Sequence, residues 1–71
     1  MMTEKLQQAI VKVYLEFDTP ADQIVCDCLL AGHFADAVNE EIAPDEYHAA
    51  TTISRGLLYL RKKGLLPRLV R

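Results

Sequence analysis

Only two cysteines occur in these 71 residues, too few for the disulfide framework that holds many small secreted domains. No apolar run exceeds four residues. That excludes a bilayer-spanning helix and the core of a secretory signal, and a cytoplasmic protein is expected. Glycine and proline number three each, so no Gly/Ser linker, repeat or low-complexity tract divides the chain, and residues 1–71 are expected to form a single domain. A chain this short buries only about 60% of its unfolded surface and often gains stability from a second copy. It also has little scaffold for a preorganised substrate pocket, so binding rather than catalysis is expected, with no cofactor.

The other scarcity is local. Residues 55–71 contain no acid at all, while Arg55, Arg61, Lys62, Lys63, Arg68 and Arg71 give that stretch a charge of +6. Residues 1–54 hold all ten acids against Lys5 and Lys12, a net of −8, and the two parts combine to −2. Such polarity points to an anionic partner for the C-terminal segment, nucleic acid being the commonest. Charge balance, with the basic segment lying on the acidic helices of its own fold or of a second copy, is the alternative.

What is present suits a folded chain, since 51% of residues are hydrophobic and 25% charged. Over residues 3–17, Leu6, Ile10, Val13 and Phe17 form one helical stripe and Val11, Tyr14 and Leu15 a second. A helix apolar on two sides asks for two neighbours. One is the body of the domain. The other is either a second protomer, which makes this segment the expected homodimer contact, or the same small core absorbing both stripes. Thr19, Pro20 and Asp22 read as cap, first helical residue and first-turn acid of a second helix that carries Ile24, Val25, Cys28 and Leu29 and ends at Gly32. Phe34, Val38 and Ile42 then give a third amphipathic helix, stopped by Pro44. From Asp45 or Tyr47 to Lys63 a fourth helix is expected. Its buried side is Ala50, Ile53, Leu57 and Leu60, and His48, Thr51, Arg55, Tyr59 and Lys62 lie opposite. That polar stripe offers hydroxyls and cations of the kinds that contact phosphates and base edges. Asp45 is placed to cap this helix. Residues 65–70 read as a short strand beyond Gly64.

The run Thr51-Thr52-Ile53-Ser54-Arg55, then Leu57, Leu60, Arg61-Lys62-Lys63-Gly64-Leu65-Leu66, resembles the recognition-helix region of winged-helix DNA-binding domains. A small polar cluster, Ser-Arg, two leucines three apart and a basic-Gly-Leu ending make up that pattern. The resemblance is good over residues 51–66 and looser over 21–70. It implies a mostly α, winged-helix-like domain of about four helices, with a helix-turn-helix-like core over residues 20–64 and a truncated or absent wing. It also implies a cytoplasmic transcription regulator that binds duplex DNA as a homodimer. Thr51, Thr52 and Arg55 would face the major groove, His48 and Tyr59 would flank them, and Tyr59, Lys62, Lys63 and Arg68 would meet phosphates. Members of this fold that bind only protein suggest the alternative, a protein-interaction module docking on an acidic partner.

Other chemistry is poorly served by the residues present. On one continuous helix Cys26 and Cys28 point about 160° apart and cannot share an ion, and no metal site is expected. Cys28 reads as a small core residue and Cys26 as a partly exposed thiol. His33, after Gly32, reads as a turn or capping residue. Glu40, Glu41, Asp45 and Glu46 lack the spacing of a calcium loop and read as a solvated face.

Overall fold

The computed structural model describes residues 3–67, which form four helices joined by short connections. Helix α1, Glu4–Phe17, starts at Thr3, whose hydroxyl accepts the Leu6 N–H at 3.1 Å. It buries Leu6, Ile10 and Val13, as the first stripe predicts. Tyr14 of the second stripe is also buried in the chain's own core, leaving Leu15 half exposed. Asp18 ends the helix in a left-handed conformation (φ 50°) that Asp tolerates better than most residues. The Phe17 ring then meets Phe34 edge-on, with centroids 5.3 Å apart.

The predicted second helix is broken at Asp27, and its part beyond the break joins the predicted third helix as one element. Helix α2, Ala21–Cys26, begins one residue later than the sequence suggests, because Pro20 is itself the cap and its carbonyl accepts from Gln23 and Ile24 N–H. Thr19 instead donates its hydroxyl to the Phe17 carbonyl at 3.0 Å. Asp27 then adopts extended backbone, and its carboxylate accepts from Leu29 and Leu30 N–H at 3.0 and 3.1 Å, starting α3, Cys28–Ile42. A strong N-cap thus overrides the helical periodicity of residues 20–32. Gly32 lies inside α3 rather than at a helix end, and His33 is an exposed mid-helix residue rather than a turn or cap. Packing of Phe34, Ala35, Val38 and Ile42 outweighs the modest helical cost of one glycine, about 1 kcal/mol. The restart at Asp27 also sets Cys28 and Leu29 in the first turn of α3, where both are exposed, Leu29 at 76%; neither is core.

Helix α4, Ala50–Lys62, turns Ile53, Gly56, Leu57 and Leu60 inward. Ala50, expected on the buried side, is exposed at the very start of the helix. Gly64, at φ 71°, closes α4 in a left-handed conformation, with its own N–H on the Arg61 carbonyl (3.1 Å) and that of Leu65 on the Leu60 carbonyl (2.9 Å). Among the described residues there is no strand. Residues 65–67 of the expected strand are irregular, with no neighbouring strand to pair with, and 68–70 lie outside the described residues. Leu66 packs against the core instead.

Seven residues, 43–49, link α3 to α4 without regular structure. Asn39, buried on α3, holds them. Its Oδ1 accepts the His48 N–H and its Nδ2 donates to the His48 carbonyl, both at 2.8 Å. Asn39→Ala removes the partners of both the His48 N–H and the His48 carbonyl, which are partly buried, and should lower the unfolding free energy by about 2 kcal/mol. Urea denaturation measures this, with exposed Glu40→Ala as a control expected within about 0.5 kcal/mol of the parent. A loss for Asn39→Ala no larger than the control's would remove Asn39 from its role.

Candidate nucleic-acid interface

Because Ile53, Leu57 and Leu60 point into the core, the opposite side of α4 must face water. At 100° per residue Thr51, Arg55, Leu58 and Lys62 share an arc of about 60°, the outermost ridge of the helix. Thr52 and Tyr59 lie on its flank. Thr51, Thr52, Arg55, Lys62 and Lys63 are exposed, and Tyr59 is half exposed with the Lys63 ammonium 5.9 Å from its ring centroid. His48 precedes the helix and is only partly accessible. Arg68 lies outside the described residues. The structure therefore gathers Thr51, Arg55 and Lys62 on one ridge, sets Thr52 and Tyr59 beside them, and puts His48 at the N-terminal end.

Three contributors were not foreseen. Leu58, 40% exposed, sits in the middle of the ridge; its spacing from Thr51, Arg55 and Lys62 carried the signal. Leu6 and Gln7 of α1 face the Thr52–Tyr59 flank and, with His48, Arg55 and Gly56, enclose a groove of about 530 Å³. No local pattern reports that contact, since it joins residues more than forty positions apart.

The charges are sorted with the fold. Lys12 pairs with Glu41 at 2.6 Å, Lys5 pairs with Asp45, and Arg61 pairs with Asp22. Intramolecular balance thus accounts for Arg61. Among the described residues no carboxylate pairs with Arg55 or Lys62, and α4 itself contains no acid. Asp45, expected to cap α4, is held by Lys5 instead, and Ala49 starts the helix without a side-chain cap. The hydrogen bonds to Asp45 and Glu41 hold the Lys5 and Lys12 ammonium groups above their ordinary range.

Beside the groove, Glu46 joins two elements. The Thr3 hydroxyl donates to its carboxylate, 3.1 and 3.2 Å from the two oxygens, and His48 Nε2 lies 2.8 Å from Oε1. The bond from His48, reinforced by Thr3 and the Lys5 charge, holds the Glu46 carboxyl below its ordinary value despite partial desolvation. Among the described residues, no group of three or more His, Cys, Asp and Glu side chains is placed to hold a metal ion, and no helix is long and apolar enough to cross a membrane. Comparison with protein-family models, curated proteins and solved structures found no match to this chain.

The Glu46 shift has a definite sign. A carboxyl whose folded pKa lies below its unfolded one contributes stability that is complete above the unfolded value and is lost as pH falls through the folded value. Glu46→Gln should therefore flatten the acid limb of the stability curve, beginning near the ordinary carboxyl value of 4.5 and continuing below it. Thermal unfolding across that range measures the slope. An acid limb as steep in Glu46→Gln as in the parent would contradict the assignment.

Proposed function

We propose that this chain is a winged-helix-like DNA-binding regulator of transcription, acting in the cytoplasm as a homodimer, with α4 lying along the major groove of duplex DNA. One observation carries the reading. The solvent side of α4 presents two threonines, an arginine and a lysine with no acid among them, and neither cation is neutralised by a carboxylate of the described residues. In a chain of net charge −2 with ten acids, such a surface suits a polyanion. Arg55, with its planar fork of donors, reads base edges, and Thr51 and Thr52 set register beside it. Tyr59, Lys62, Lys63 and Arg68 meet phosphates, with His48 flanking them. Dimerisation runs through residues 3–17, where Leu15 offers a half-exposed apolar side chain.

A second reading, a protein-interaction module of the same shape, draws on Leu58. Leu58, 40% exposed among the cations of the ridge, suits an acidic protein partner that also offers apolar contact better than a row of phosphates. Gel shifts over a salt series, with random genomic fragments, separate the two. DNA binding should weaken with salt at a log–log slope of about −0.9 per phosphate contacted. Arg55→Ala should abolish specific binding while changing stability by less than about 0.5 kcal/mol. Lys62→Ala should weaken all sequences alike and reduce the salt slope by about 1. Absence of duplex binding at about 0.1 M salt, where a basic face still attracts DNA, would favour the protein-interaction reading. Undiminished specificity in Arg55→Ala would remove α4 from the groove.

A further inference from the structure

The groove between α1 and α4 has a composition at odds with the rest of the surface. Among the described residues its lining is Leu6, Gln7, His48, Thr52, Arg55, Gly56 and Tyr59, with no acid on the wall itself and Glu46 behind His48, bonded to its Nε2. The neighbouring groove between α1 and α3 is the reverse, with Lys5 and Lys12 on its walls neutralised by Asp45 and Glu41. Among the described residues that line the α1–α4 groove, the only permanent charge is the Arg55 guanidinium. It has no carboxylate partner among the described residues, and His48 Nε2 is already committed to Glu46. At its floor lie the buried Leu6 side chain and Gly56, which has none. Tyr59 supplies an aromatic wall, and the Thr52 hydroxyl and Gln7 amide add uncharged polar contacts.

We propose that this groove binds a small aromatic monocarboxylate. One guanidinium matches one carboxylate in charge and in its two-point geometry, whereas a phosphate dianion would leave half its charge uncompensated. A flat ring suits the Leu6–Gly56 floor and the Tyr59 wall. A volume of about 530 Å³ holds a ring and its acid side chain with room for water at the open side. The site stands apart from the DNA reading, although it uses the same Arg55; if both hold, a bound acid competes with DNA for that side chain.

Phenylacetate is the probe, with phenylacetamide as its neutral isostere, followed by amide NMR shifts of the full chain. Saturable shifts should cluster at Leu6, Gln7, Thr52 and Gly56. Phenylacetamide should bind about tenfold or more weakly than phenylacetate, the effect of losing a charge-assisted bond. Arg55→Gln should weaken phenylacetate binding to a similar degree while keeping a dispersed, folded spectrum, and Lys62→Ala, outside the groove, should leave it unchanged. Equal binding of acid and amide, shifts that are scattered or do not saturate, or parental affinity in folded Arg55→Gln would overturn the proposal. Salt-dependent duplex binding without phenylacetate binding sinks this inference alone; phenylacetate binding without duplex binding sinks only the DNA reading.

Discussion

The two hydrogen bonds between the Asn39 amide and the His48 peptide are the constraint on which the placement of α4 rests. An amide side chain presents a carbonyl and an N–H pair side by side, so it can stand in for the backbone partner that an irregular segment lacks. Residues 43–49 have no regular structure of their own, and Asn39 supplies the partners of both the His48 N–H and the His48 carbonyl. From this anchor the connection is tied a second time to the start of α1, through Thr3 and Glu46 and through Lys5 and Asp45. The rotation of α4 about its axis follows from the burial of Ile53, Leu57 and Leu60.

The same ties organise the charges. Asp45 and Glu46, in the connection before α4, are tied to α1, while Glu41 and Asp22 are held by Lys12 and Arg61. These exposed pairs add little to stability individually. Their consequence is electrostatic: carboxylates that would repel an anion are engaged elsewhere, and the solvent side of α4 is left with Arg55 and Lys62. The placement of α4 and much of the charge pattern therefore come from contacts around residues 39–48, with Asp22 and Arg61 adding a separate pair.

Much of this was legible in the sequence because it is written in local periodicity. The Leu6, Ile10 and Val13 stripe, the Phe34, Val38 and Ile42 stripe, the inward side of α4 from Ile53 to Leu60 and the exit at Gly64 all depend on neighbours within a few turns. What escaped depends on competition or distance. The boundary between α2 and α3 turns on Asp27, whose capping carboxylate wins over an otherwise continuous helical pattern and carries Cys28 out of the core. Sequence proximity places Asp45 at the nearest helix end, but Lys5 from α1 holds it. Of the candidate site, the ridge of Thr51, Arg55 and Lys62 was readable from spacing. The groove was not, since Leu6 and Gln7 reach it only once α1 and α4 are packed together.

Hydrogen exchange at the His48 amide is the most direct measurement of whether the α3–α4 connection is held as described. A closed Asn39–His48 pair requires that amide to exchange slowly, alongside those of Val38 and Ile42 in α3, despite its place in an irregular segment. Exchange at the rate of an unstructured peptide would mean that the connection is not anchored, and that the orientation of α4 has some other origin.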